Sequence, residues 1–403
     1  MPTTRKKKKI IYGIAALVAA MSLCFNASCT SQIEHQKNRE SAAGGSLSFS
    51  YVKASTEGDI SISAHSAILI EQSGGEVVWH KNADEKMAMA STTKIMTALV
   101  ALEMSGVDEI VTVPPEACGI EGSSIYLFAG ERITMEDLLY ALLLSSANDA
   151  AAAIAIHIGG SIEGFADMMN ARAEELGIED THFVNPHGLY DEQHYTTARE
   201  LAIIAREAMK NTTFAKIVGT YKKTAALDGE DGKRLFVNHN KLLQRYEGAC
   251  GIKTGFTKKS GRCLVSAAER QGVSFICVTL NAPDDWHDHE KLFDLGFSLY
   301  ECRTLCKKGE LNIALPVISG VTDAVTVTNA QELSLILPRG NARIERSVEL
   351  PRFVFAPVSA GEQVGRLVYR IDGRVVAECP LVATFSVNKT NNKKSVIDWL
   401  FGR

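Results

Sequence analysis

The chain has 403 residues, 46% hydrophobic and 22% charged, enough apolar sequence to bury a sizeable core and to divide into two folded domains. A formal net charge of -4 excludes the concentrated basic face on which nucleic-acid binding depends, and the composition excludes a disordered or collagen-like chain. Nine cysteines show no dense, regular framework and one of them, Cys24, lies in a leader segment, so most read as small buried hydrophobes.

At the amino end, Arg5 and Lys6 to Lys9 precede the apolar run "IIYGIAALVAAMSLCF", and the small residues of "NASCTS" follow, the pattern of an export signal over residues 1–30. The run is shorter than the roughly 20 residues of a spanning helix, which favours cleavage near Ala27 to Ser31 over a permanent anchor. Asn26 stands three before Cys29, where a lipoprotein site has a leucine-like residue, and so argues against lipidation. Residues 31–60 are polar, Gly/Ser-rich and aperiodic, as a linker is. Next, "SAILIEQSGGEVVWHKN" predicts a hairpin of two short strands around Ser73, Gly74 and Gly75.

The stretch "KMAMASTTKIMTALVALE" puts Ser91 and Lys94 at the head of an apolar helical run. Ser91 can cap that helix while Lys94 reaches water; equally, the two side chains lie one turn apart and share a face. Ser-x-x-Lys recurs at Ser50 to Lys53 and Ser386 to Lys389, so the pattern alone selects nothing. Downstream, Thr134 caps a helix over "MEDLLYALLL", Ser161 caps "IEGFADMMNARAEEL", and Thr197 with Glu200 makes a capping box for "ARELAIIAREAMK". Between the first two, "SSANDAAAAIAIHIGG" opens with a polar break and continues as an Ala-rich helix that must pack closely on several sides.

From Gly248, "ACGIKTGF", "RCLVSAAER" and "GVSFICVTLNA" read as an antiparallel meander, and a helix from roughly Asp288 to Cys302 packs back on it, with Cys302 and Cys306 spaced i,i+4 at its end. Helices between an early hairpin and a late meander imply one mixed sheet assembled from distant segments. Residues 306–386, with runs such as "AVTVT", "LSLIL" and "FVFAP", predict a smaller all-β domain. In the tail, 387–403, Val396, Trp399 and Leu400 recur at helical spacing beside Lys393, Lys394 and Arg403, as in a short membrane-surface helix or a frayed end.

Two further motifs select Ser91 from its rivals: Ser146-Ala147-Asn148 at the break between two helical runs, and Lys253-Thr254-Gly255 on the first meander strand. In this order, Ser-x-x-Lys, Ser-x-Asn and Lys-Thr-Gly resemble the motifs of the penicillin-interacting serine acyl-transferases. The stretches "ASTTKIMTALVALE", "LLLSSANDAAAAIA", "FVNPHGLYDEQHYTTARELA" and "GIKTGFT" narrow the resemblance to the D-alanyl-D-alanine carboxypeptidases among the low-molecular-mass penicillin-binding proteins, over about residues 62 to 300 and more loosely beyond. The resemblance implies an α+β fold: a β-lactamase/transpeptidase-like domain over 61–305, helices packed on an antiparallel sheet with the site between them, then the all-β domain.

By residue type, Ser91 is an oxygen nucleophile that stays inert until something takes its proton. Lys94 serves as that base only when neutral, which burial and the second ammonium of Lys253 favour. The resemblance implies that Lys253 and Thr254 bind the free carboxylate of the terminal D-alanine and that Gly255 lets the substrate lie close along the strand edge. It further implies that Ser146 relays a proton to the departing D-alanine, that Asn148 holds Lys94, and that the backbone N–H groups of Ser91 and Phe256 form the oxyanion hole. The implied substrates are peptidoglycan pentapeptide stems, with β-lactam antibiotics as covalent inhibitors, acted on outside the cytoplasm without a cofactor.

No metal set is expected from His287, His289, Cys302 and Cys306. His187, Asp191 and His194 invite a His/Asp triad with Ser91, but Lys94 already fills the base position, and these residues are expected to shape the rim, with His239 and Asn240 lining the cleft. Two other readings compete. A class A β-lactamase needs a deacylating Glu-x-x-Leu-Asn stretch between the second and third motifs, and none occurs here. A non-catalytic protein that senses penicillins or peptidoglycan is disfavoured by the intact Ser91, Lys94, Ser146, Asn148 and Lys253 set.

Overall fold

The structure is a computed structural model and describes residues 49–50, 60–226, 232–340 and 342–390. The expected export signal and the tail from residue 391 lie outside the described residues.

A five-stranded sheet organises the first half, in the order Val77–Lys81, Ser66–Glu71, Val273–Leu280, Gly261–Arg270, Ala249–Thr257. Every pairing is antiparallel, so the sheet is not mixed: the early hairpin joins the meander through Ser66–Glu71 beside Val273–Leu280. The two central strands are buried on both faces because alternate side chains enter different cores. Ile68, Ile70, Ile276 and Val278 point into a helical core on one side. Leu69, Phe275 and Cys277 meet Leu292 and Phe293 of the helix Asp285–Leu299 on the other.

The helical core holds Lys94–Met104, Met135–Leu144, Asn148–Gly159 and Ala198–Met209. Their starts follow the expected caps: Thr134, Ser161 and Thr197 accept from the backbone N–H groups of Asp137, Gly164 and Glu200. Only half of the Thr197 capping box forms. The Glu200 carboxylate turns instead to Thr181 Oγ1 and the N–H groups of Glu179 and Asp180, tying the preceding loop to the helix. Ala150 to Ala155 of the Ala-rich helix are all buried, and small side chains let this helix run through the middle of the core.

Two further expectations are corrected. The last helix ends at Leu299, and Tyr300–Cys306 continues as a strand, which places Cys302 and Cys306 on a sheet. That strand pairs with Leu333–Pro338, because a segment this short fits either periodicity and its neighbour decides. The region 31–60 is not wholly a linker, since Phe49–Ser50 pairs in parallel with Leu335 and Ile336. The remaining strands form a six-stranded sheet, Ile344–Glu349, Gln363–Ile371, Arg374–Ala383, Ala324–Asn329, Ile313–Ile318, Val354–Phe355, over its own core of Leu315, Val327, Leu367 and Leu381.

Candidate active site

Ser91 lies not on the long helix but in the 3-10 turn Ala90–Thr93 that leads into Lys94–Met104. Its side chain makes no cap; the Lys94 N–H donates to the Ser91 and Thr92 carbonyls, and Thr93 Oγ1 donates to the Ala90 carbonyl at 2.8 Å. Two glycines let other chain segments touch this turn. A Cβ on Gly188, which has φ +84°, would collide with the Ala90 carbonyl, and a Cβ on Gly255 would lie 3.1 Å from the Ser91 nitrogen.

Lys94 is fully buried, and its Nζ has three oxygen neighbours: Ser91 Oγ at 2.9 Å, Asn148 Oδ1 at 2.7 Å and the His187 carbonyl at 2.7 Å. Two of these can only accept. A neutral amine has two N–H donors and one lone pair, so donation to Asn148 and His187 turns the lone pair to the Ser91 hydroxyl. Burial pushes the Lys94 ammonium well below the ordinary lysine range, the Lys253 charge adds to that, and Asp149 opposes it. Lys253 is itself buried, its pKa pushed down to about 7 by that burial, with Nζ donating to the Thr254 carbonyl at 2.9 Å. It stands behind the cavity wall.

Asn148 opens its helix and is held from two directions: its N–H donates to the Ser123 carbonyl at 2.7 Å, and Nδ2 to the Glu121 carbonyl at 2.5 Å. The next residue, Asp149, anchors the same loop. Its buried carboxylate accepts from Ser124 Oγ at 2.6 Å and from the N–H groups of Ile125, Leu127 and Ala150 at 3.1, 3.1 and 2.9 Å. Ser146 occupies the bend between helices with a left-handed φ of +58°.

These elements meet at a cavity of about 740 Å³, whose wall includes Ser91, Ser146, Thr254, Gly255 and Phe256. Ala249–Thr257 is the end strand of its sheet, with no strand among the described residues paired on its outer edge, the side on which an extended peptide can add. Farther along the wall stands Arg262, paired to Phe256 in register. Asp285, 2% exposed, takes its Nε at 3.0 Å and its terminal nitrogen at 2.9 Å, fixing the guanidinium beside the cavity.

Of the eight site residues expected from the motifs, Ser91, Ser146, Thr254, Gly255 and Phe256 line the cavity, while Lys94, Asn148 and Lys253 stand directly behind it. His187 and His194 do not shape a rim. Both are buried beneath the serine turn, where desolvation drives their pKa values down to about 3 and about 4. His187 serves through its backbone carbonyl, and His194 bonds Thr93 Oγ1 at 2.7 Å while its Nδ1 accepts from the Val184 N–H. Asp191 accepts from the Gln193 N–H in its own loop. His239 lines the cavity, but Asn240 is buried with its amide on the Gly251 carbonyl at 2.7 Å.

Sequence reasoning missed Asp149, the Glu121 to Leu127 loop and the Arg262–Asp285 pair. An acid directly after Ser-x-Asn, in the first turn of a helix, was the one available signal.

A sequence profile described as D-alanyl-D-alanine carboxypeptidase matches residues 52–284, more than half of the chain. The chain belongs to the D-alanyl-D-alanine carboxypeptidase family. It is a serine-type hydrolase, and a second profile, penicillin-binding protein 5 C-terminal domain, matches residues 300–389. Among curated carboxypeptidases it is 34% identical over 350 residues to DacF of Bacillus subtilis, covering 83% of this chain and 90% of that one. It is 28% identical over 369 residues to DacA of Escherichia coli, covering 87% and 90%. Penicillin binding protein 5 from Haemophilus influenzae superposes with a TM-score of 0.60 at 26% identity, over 83% of this chain and all of that one.

Proposed function

We propose that this carboxypeptidase removes the terminal D-alanine from peptidoglycan pentapeptide stems through an acyl-enzyme on Ser91, and that penicillins acylate the same oxygen. The observation that carries the reading is the approach of Lys94 Nζ to Ser91 Oγ at 2.9 Å, with Asn148 Oδ1 and the His187 carbonyl, which can only accept, holding the amine in place at 2.7 Å each. In the neutral amine those two take the N–H donors and the lone pair is left for the Ser91 hydroxyl. Lys94 takes the hydroxyl proton as Ser91 Oγ bonds to the carbonyl carbon of the penultimate D-alanine. The resulting oxyanion lies against the backbone N–H groups of Ser91 and Phe256, a contribution of about 10² to 10³ in rate per donor.

As the tetrahedral intermediate collapses, the peptide C–N bond breaks and the proton passes from Lys94 through Ser146 to the departing amine. Water then follows the reverse path and hydrolyses the ester. Lys253 and Thr254 receive the terminal carboxylate, Arg262 adds the permanent cation on the cavity wall, and Gly255 admits the substrate backbone. The leader pattern, and the requirement that peptidoglycan be reached, support action on the outer face of the cytoplasmic membrane.

Peptide mapping after labelled-penicillin treatment tests the assignment. The adduct is expected on Ser91 alone, and an adduct on Ser50 or Ser386 overturns it.

A further inference from the structure

The β-rich domain carries an apolar surface that its own fold does not use. In the strand Ile313–Ile318, Leu315 and Val317 point inward, and the outward positions are Ala314, Pro316 and Ile318. A strand with one solvated face normally shows polar residues there. The neighbouring strand makes the face larger: Ile318 is the register partner of Phe355, so the two side chains share a side, and Phe353 follows two residues away on that same side. The Phe353 and Phe355 rings meet edge-to-face at 5.4 Å. Ile318, Phe353 and Phe355 are 43%, 46% and 65% exposed and adjoin one another, and Val321, 61% exposed, follows Ile318 by three residues; exposed apolar surface of this kind marks an interaction site.

The chain leaves the domain beside this patch. Asn388 accepts from the Val321 N–H, Lys389 bridges Gly320, and the Thr390 N–H donates to the Ser319 carbonyl. The sequence that follows combines Lys393, Lys394 and Arg403 with Val396, Trp399 and Leu400. Exposed Arg352 directly precedes Phe353, exposed Lys389 bridges Gly320 next to Val321, and Asp323, also exposed, follows Val321 by two residues.

We propose that the Ile318, Val321, Phe353 and Phe355 surface enters the interfacial layer of an anionic lipid bilayer, acting together with the basic tail as a second contact. One short apolar face binds membranes only marginally, and stable attachment takes two signals. Aromatic and aliphatic side chains next to basic ones suit the headgroup boundary, where the rings are buried and the cations meet anionic lipid.

Flotation of the full chain with vesicles of equal parts phosphatidylglycerol and phosphatidylcholine tests this. The Phe353→Ser/Phe355→Ser variant should float roughly tenfold less than the parent with its tail intact, and adding high salt should weaken both. D-alanine release from a soluble peptide reports that the variant is folded, and it should be unchanged. In the parent, hydrogen exchange should show vesicle-dependent protection of residues 316–321 and 353–356, with 344–349 unaffected. This readout needs no mutant and does not depend on the catalytic reading. Flotation equal to the parent's, or no vesicle-dependent protection, overturns the proposal. So does protection that rises with protein concentration in the absence of vesicles, which would assign the patch to a second copy of the chain.

Discussion

Replacing Asp149 with alanine removes a buried carboxylate that collects four hydrogen bonds, three of them from the backbone N–H groups of Ile125, Leu127 and Ala150. Those donors stay in place after truncation. Bonds to a charged acceptor contribute about 1.5–3 kcal/mol each, and water entering the vacated space recovers part of the loss, leaving about 3–5 kcal/mol of destabilisation. The same loop holds Asn148 through the Ser123 and Glu121 carbonyls, so Asn148 loses its fixed aim at Lys94 and kcat should fall roughly 10- to 100-fold. Asp149→Asn separates shape from charge. Asp149 favours the Lys94 ammonium, so removing its charge lowers the Lys94 pKa further, and the acidic limb of kcat/KM should move to lower pH. Chemical denaturation and a pH profile of D-alanine release measure both effects. An alanine variant within about 1 kcal/mol of the parent, or an asparagine variant whose acidic limb moves upward, would refute the reasoning.

Lys253→Ala should act with the opposite sign, since losing its charge raises the Lys94 pKa and moves the acidic limb to higher pH, while peptide turnover also drops; a limb that stays put contradicts the coupling. Arg262→Ala should raise KM for peptides with a free terminal carboxylate and leave amidated analogues unaffected, with partial rescue by lysine; equal effects on both substrates count against a carboxylate role. Ser91→Ala and Lys94→Ala should each abolish nearly all turnover and the double variant little more, because residues acting as a unit are not additive. His194, with a folded pKa of about 4 against an ordinary value of 6.5, is neutral in the fold while the unfolded chain takes up a proton. Its contribution is therefore complete above about pH 6.5 and lost as pH falls towards 4, at up to ~1.4 kcal/mol per pH unit. His194→Gln should flatten that part of the stability profile, and an unchanged slope would exclude it.

The parts of the site legible in the sequence are those written in side-chain type at fixed spacing: Ser91 and Lys94 across one turn, Ser146 and Asn148 at a helix break, and Lys253 to Gly255 on a strand. Caps such as Thr134 and Ser161 were legible for the same reason, since an N-cap is a local contact. What stayed hidden depends on distant packing or on backbone atoms. The His187 carbonyl that orients Lys94 carries no residue signature, and His187 itself pointed to the wrong chemistry. Arg262 meets Asp285 only after the meander and the following helix have docked. Strand direction in the catalytic sheet follows from the pairing of Ser66–Glu71 with Val273–Leu280, some two hundred residues away, which no local pattern encodes. Tyr300–Cys306 became a strand because Leu333–Pro338 offered an edge.

The central claim, hydrolysis through an ester on Ser91, is tested most directly by mass spectrometry of the protein and of a muropeptide ending in D-Ala-D-Ala, sampled together during turnover. The account predicts free D-alanine and a muropeptide shorter by one residue, a transient peptidyl adduct on Ser91, and with penicillin an adduct on the same residue that persists far longer. The persistence follows from the tethered leaving group and the missing deacylating glutamate. Rapid multiple-turnover penicillin hydrolysis, or a stable adduct with no D-alanine release, would contradict it.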